Sequence, residues 1–295
     1  MLIIRLSCSK YILFFICLLN LSFFSSVYTV MGEEKGCKYF ESLQKRLIKD
    51  GFDATRIINL YSRSQVSFEE EGTALFFVHS EAKLDYDQFA NKWSIRKAKK
   101  YMEKHKSVLA KTEKVYGVDK NIITAIILVE SGLGNNLGKR SVLNTLSSLA
   151  SMGDPNVRNM FWDLRGDSSG LTRKEFEKKA RRKSNWAYNE LKAFLEYTLK
   201  AKIDPVEVGG SYAGAVGLPQ FMPTNIPAYA KDGNMDGHID LFNHADAMAS
   251  IANYLKRFGW HPGIDKKKAY KIIHRYNHSI YYINTILKIS ELLKG

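Results

Sequence analysis

Eight uncharged residues, Ile122 to Val129, lead into a lone carboxylate, Glu130, and the chain then breaks at Gly132, Gly134 and Gly138. A carboxyl group in the last turn of an apolar helix meets the negative end of the helix dipole. Desolvation among isoleucines acts in the same direction, and both favour the protonated form. A carboxyl that keeps its proton near neutral pH can act as a general acid. The glycines would leave room in front of it for a substrate. An ion pair with a nearby Lys or Arg would put a glutamate in the same place for structural reasons, and spacing alone does not separate the two.

Two further stretches carry polar groups in ordered patterns. GGSYAGAVGLPQFMPTN, residues 209–225, sets small residues and prolines around Ser211, Gln220 and Phe221. It lacks the Lys-Ser/Thr of a phosphate loop. Its composition suits a wall for a flat ligand, with Ser211 and Gln220 as hydrogen-bonding groups, or equally a turn packed on the core. DGNMDGHID, residues 232–240, places Asp232, Asn234 and Asp236 at alternate positions before Gly237, as in an EF-hand calcium loop. The backbone carbonyl of His238 would occupy the seventh position. The twelfth is Asn243 where an EF-hand has Glu, and Asp246 is the expected replacement ligand. A polar turn without an ion has the same pattern. Calcium affinity on the order of 0.1 to 1 mM would suit an extracellular module.

Helices must position these groups. Residues 39–63 read as two short helices with Asp53 as a cap, and residues 64–92 show no clear period. Ile95, Ala98, Met102, His105, Leu109, Thr112 and Tyr116 recur at three- and four-residue steps, which predicts one amphipathic helix ending at Gly117. Asp119 can cap the next helix, about 120–131, whose apolar circumference predicts burial. Another helix is expected over 141–150. The polar region 152–185 holds a GDSSG turn, then Thr172 and Glu175 at the spacing of a capping box for a basic helix. Helices should follow at about 186–201, 246–258, 266–275 and 280–293. Strand signals are few, so the fold class is mainly α (α+β) with a small β element.

The first 32 residues carry Arg5, Lys10 and an apolar run from Tyr11 to Phe24, the pattern of an export signal or of an anchor through about residues 11–27. Cleavage after Gly32 would leave Cys37 as the one remaining cysteine, so no internal disulfide could form. It would also lower the net charge from +14 to +12 by removing Arg5 and Lys10. Such a surface favours polyanions. No helix-turn-helix, zinc-finger or RNA-binding pattern points to nucleic acid, and the histidines form no zinc motif. A lysine-rich solvated surface accounts for the charge equally well.

VESGLGNNLG with VLNTLSSLA, GSYAGAVGLPQFMP, DGNMDGHIDLFNHADAMASIANYLKRFGW and RYNHSIYYINTIL, in this order, resemble the motifs of the lytic murein transglycosylase B family. The resemblance covers about residues 94–290. It implies a lysozyme-like helical core over 94–295, interrupted by an insertion at 152–185 and preceded by a helical region over 33–93. It implies an enzyme of the bacterial envelope or periplasm, expected to be monomeric, that acts on peptidoglycan glycan strands and leaves 1,6-anhydro ends, with Glu130 as sole acid/base. Ser211, Gln220, Phe221, Tyr276 and Asn277 match groups of that family's cleft, and Tyr254 and Tyr282 fall at associated aromatic positions. Arg182 and Lys183 correspond to its basic pair. The acid at Asp246 matches that family's calcium loop, with no organic cofactor implied. Core packing would explain each tyrosine as well. Lysozyme-type hydrolysis and a non-catalytic, calcium-stabilised wall-binding protein are the competing readings.

Overall fold

The computed structural model describes residues 37–78, 86–165 and 170–294. The expected export signal or anchor and most of the GDSSG turn lie outside these residues. Helix α1 (Cys37–Lys49) leads to α2 (Ala54–Tyr61), which Asp53 caps by accepting the Arg56 N–H at 2.7 Å, and then to α3 (Glu70–Val78). Next come α4 (Lys92–Lys104), α5 (Lys106–Tyr116), α6 (Lys120–Ser131), strand β1 (Arg140–Ser141) and α7 (Val142–Ser151). They are followed by α8 (Pro155–Arg165), α9 (Arg173–Ala201), strand β2 (Gly209–Gly210), α10 (Ile226–Tyr229), α11 (His244–Arg257), α12 (Lys266–Tyr276) and α13 (Ile280–Lys294). Among the described residues no helix is long and apolar enough to cross a membrane.

The expected helix over 94–117 is two helices. His105 leaves helical geometry at φ −108°, ψ 21°, and its ring packs 4.5 Å from those of Tyr101 and His244. Asp119 stands at the start of α6 without capping it, and the Lys120 N–H is taken by the Glu113 carboxylate instead. Helix α8 was not anticipated, and the two helices expected within 172–201 are one, α9, opened by the Thr172–Glu175 capping box.

Helix α6 is central. Ile123, Ala125, Ile126 and Ile127 are fully buried, and the helix packs against α13, α4, α5 and α11. Helix α7 is buried on every side, and three of its polar residues bond to the end of α2 and to the chain between α2 and α3. Ser147 shares a 2.7 Å hydrogen bond with Tyr61, Ser148 accepts the Glu69 N–H, and the Asn144 amide donates to the Gln65 carbonyl. A buried polar group is tolerated when it is bonded in this way. Residues of α1 and α2 therefore join the same main core as α6.

Candidate active site

Helix α6 ends where Gly132 takes the left-handed conformation, φ 57°, and its N–H closes back on the last carbonyls of the helix. Glu130 is thereby held, half-buried, one residue from the helix end. Two phenols face its carboxylate. Tyr282 on α13 is 1% exposed, and Tyr276 closes α12; both are raised well above the ordinary tyrosine range, first by burial and next by the Glu130 charge. The Tyr282 hydroxyl falls outside strict hydrogen-bond geometry, yet bonding to Glu130 is among the causes of its shift. Glu130 is the one carboxylate among the described residues whose charge acts on both phenols.

The three glycines after Glu130 do not share one task. A Cβ on Gly132 would meet nothing within 4 Å, so space is open there, whereas on Gly138 it would lie 2.0 Å from the Gly210 carbonyl oxygen. Gly138 is needed for backbone contact and not for substrate room, which corrects the expectation for that position. The contact leads into the antiparallel pairing of β1 with β2, Arg140 opposite Gly210 and Ser141 opposite Gly209.

That pairing fixes the start of the 209–225 loop, and six further bonds fix the rest. The Ser211 hydroxyl oxygen accepts the N–H groups of Ala213 and Ala215. The Leu218 N–H donates to the Leu241 carbonyl at 2.9 Å, and the Tyr276 hydroxyl donates to the Pro219 carbonyl at 2.6 Å. Thr224 donates both its N–H and its hydroxyl, each at 2.9 Å, to the Glu190 carboxylate of α9. Gln220 sits among these anchors at φ 48°, a left-handed backbone uncommon for a residue with a side chain. Its amide nitrogen donates to Gly217 at 2.8 Å.

The aromatic residues form one nest. Phe221 lies 5.9 Å from both Tyr254 and Tyr276, Tyr276 meets Tyr254 edge-on at 5.0 Å, and Tyr276 stacks parallel to Tyr282 at 6.4 Å. Tyr254 bonds the Arg275 carbonyl, and burial pushes its pKa to about 12. Asn277 caps α12 and accepts the Ser279 N–H. Sequence reasoning missed Tyr86, which is buried and packs edge-on against Tyr282 at 6.2 Å. It also missed the Glu190 anchor. Neither has a local signal, since Tyr86 lies in a stretch without period and Glu190 is one acid in a charged helix.

The basic pair is not part of this nest. Arg182 is exposed on α9, and among the described residues no contact joins it to the Glu130 group. The Lys183 ammonium lies 4.5 Å from the centre of the Phe76 ring, and burial, then the charges of Arg182 and Lys179, lower its pKa.

The 232–246 loop is folded on itself. Asp232 accepts N–H groups from Met235, Asp236 and Gly237, Asn234 accepts from Asp236, and Asp236 accepts from His238. Asp246 is fully buried, and its two oxygens accept from Gly233, Asn234 and Asp240. Asn243, at the twelfth position, caps α11 through the Ala245 N–H, a task a ligating Glu would not leave free. Burial, and the nearby charge of Asp232, raise the Asp246 pKa. Among the described residues no basic side chain pairs with Asp246, and no three His, Cys, Asp or Glu side chains converge. Hard oxygens around a buried carboxylate with no basic partner among the described residues are the donor type that calcium takes.

A family model described as Transglycosylase SLT domain matches residues 36–268. The chain belongs to the transglycosylase SLT domain family. It is 33% identical over 163 residues to the membrane-bound lytic murein transglycosylase B of Escherichia coli (strain K12), an alignment covering 55% of this chain. The chain thus spans 38% of that relative's length. Its fold is similar to the crystal structure of soluble lytic transglycosylase SltB1 from Pseudomonas aeruginosa, with a TM-score of 0.69, 24% identity, and coverage of 87% of this chain and 98% of that one. It is also similar to the Escherichia coli lytic transglycosylase Slt35 in complex with calcium, with a TM-score of 0.68, 21% identity, and coverage of 87% and 92%. At these identities the structural likeness concerns the fold, which is the mainly helical, lysozyme-like fold of this SLT domain family.

Proposed function

We propose that the protein cleaves the β-1,4 bond between N-acetylmuramic acid and N-acetylglucosamine in peptidoglycan, with Glu130 as its one acid/base, leaving a 1,6-anhydro end. The observation that carries this reading is the single carboxyl of Glu130 at the end of an apolar helix, facing the phenols of Tyr276 and Tyr282, on which no other carboxylate among the described residues acts. Protonated Glu130 gives its proton to the glycosidic oxygen as the bond to the muramic C1 breaks, and the electron pair leaves with the glucosamine. The carboxylate then takes the proton of the muramic 6-hydroxyl, whose oxygen closes on C1. The carboxyl ends as it began, and no water is consumed. A glycosidase that uses water needs a second carboxylate, and this route does not.

The surrounding groups would orient the sugar by what their bonds leave over. The Ser211 oxygen is already an acceptor twice, so its O–H is the group left to donate. Gln220 uses its amide nitrogen on Gly217 and so offers its oxygen, while Asn277 uses its oxygen on Ser279 and offers its amide nitrogen. Asp232, Asn234, Asp236, the His238 carbonyl and Asp246 would hold calcium, whose charge would fix the loop behind Leu241 and supply no chemistry to the reaction. The calcium named with Slt35 supports that assignment. Export to the envelope accords with the substrate and with the pattern of the first 32 residues.

Mass spectrometry of the soluble products from purified sacculi tests the reading. Wild type should release anhydromuropeptides, and Glu130→Gln should be slower by roughly 10²- to 10⁴-fold. Full activity in Glu130→Gln would remove the carboxyl from the mechanism, and products with reducing ends would make the enzyme a hydrolase.

A further inference from the structure

Helix α4 carries a pattern of charge that the cleft does not use. At about 100° per residue, Ser94, Ala98 and Tyr101 share its buried side. Lys92, Trp93, Arg96, Lys97, Lys99, Lys100 and Lys104 share the opposite arc, all exposed. Trp93 is 61% exposed, with the Lys97 ammonium 3.4 Å from its ring centre. The one acid on the arc, Glu103, is bonded to Lys106 of α5 at 2.7 Å. None of the six cations of α4 has a carboxylate within ion-pair distance among the described residues.

A face that serves solubility alone intersperses both signs and hides its aromatic residues. This one has unpaired charge of one sign around an open indole, the combination that suits the boundary between water and an anionic lipid surface. We infer that the outer face of α4 docks the protein on an anionic membrane, its cations against headgroup phosphates and Trp93 in the interfacial layer. An anionic sugar polymer would satisfy the cations too. Lys97, however, covers one face of the indole where a flat sugar would lie, whereas insertion at a headgroup boundary leaves that pair intact. The sequence ahead of the described residues, with its apolar run from Tyr11 to Phe24, also marks a chain that meets a membrane. The inference does not depend on the reaction proposed for Glu130.

Co-sedimentation of the full chain with vesicles tests it, comparing a phosphatidylglycerol and phosphatidylethanolamine mixture with phosphatidylcholine alone. Arg5, Lys10 and the rest of the basic surface also favour the anionic vesicles, so the loss of that preference in the α4 variants is what reads α4. Binding should favour the anionic vesicles by at least about tenfold and should fall with added salt. The triple variant R96Q/K97Q/K100Q should lose on the order of 100-fold of that binding, at about fivefold per cation, while it keeps wild-type digestion of sacculi. Trp93→Ala should weaken it as well. Should the triple variant lose its far-ultraviolet circular dichroism, Arg96→Gln alone, about fivefold weaker, carries the same test. Equal binding to both lipids, or unchanged binding by the variants, overturns the inference. Loss of sacculus binding with vesicle binding intact would assign the face to the polymer instead.

Discussion

Tyr276 joins the two sides of the site with one hydroxyl. Its ring stacks beside Tyr282 while its O–H holds the Pro219 carbonyl at 2.6 Å, and the next residue is Gln220 in a left-handed backbone. A non-glycine residue keeps that conformation only where its surroundings fix it. Tyr276→Phe should preserve the ring packing and release the loop. The lost bond corresponds to about 1 kcal/mol, or roughly a fivefold fall in kcat/KM on sacculi, expressed mainly in KM because Glu130 is untouched. Steady-state kinetics at a series of glycan concentrations would check this, and an equal loss confined to kcat would give Tyr276 a part in the chemistry itself. Tyr254 is different although it looks similar in sequence, because its hydroxyl is spent on the Arg275 carbonyl of the neighbouring helix. Types and spacing showed that tyrosines gather here; which hydroxyl serves the loop is a tertiary fact.

Long helix α9 reaches the same loop from the other side through Glu190, a carboxylate 4% exposed that pairs with no cation among the described residues and bonds only Thr224. Burial raises its pKa, outweighing the two Thr224 bonds that lower it. The folded protein therefore binds this proton more tightly than the unfolded chain does. Stability from this group is full below the unfolded value and declines as pH rises through the folded one. Glu190→Gln keeps an acceptor for the Thr224 N–H and should flatten that decline. Glu190→Ala leaves the N–H unbonded and should cost about 1 to 3 kcal/mol at every pH; urea unfolding from pH 4 to pH 8 would separate the two. The 232–246 loop, proposed above to hold calcium, reaches the wall through the Leu241–Leu218 bond. Calcium at about ten times its Kd should add about 1.4 kcal/mol, raising Tm by a few degrees, and Asp236→Asn should abolish the rise. At this scale the sequence was readable where an apolar period ran unbroken, as in α6, α12 and α13. It was not readable at His105, because one non-helical residue leaves the three- and four-residue spacing of α4 and α5 intact. Nor did it show α8, whose polar residues carry little period.

The described residues hold one main core and a second, smaller one. Phe77 of α3, Met152, Val157 and Phe161 of α8, and Phe176 and Ala180 of α9 form a cluster separate from the core around α6. Arg158 ties its turns, with a guanidinium that is 2% exposed and bonds Glu177 and the carbonyls of Met152 and Gly153. The 152–185 segment thus brings its own apolar support and packs it on α3. A cluster of this size, joined to the rest through α9, should open as its own unit before the main core does. Phe176→Ala removes a buried ring, a change that typically costs about 3 to 5 kcal/mol. If the unit is independent, that cost falls on its own opening: amide exchange should speed up in α3, α8 and the first half of α9 while α6 and α7 keep their protection. Glu130 sits at the end of α6 in the main core, so turnover of sacculi at moderate temperature should survive the substitution. Equal loss of protection in α6 would instead mean that the two clusters unfold together, and the segment would then have to count as part of what holds Glu130 in place.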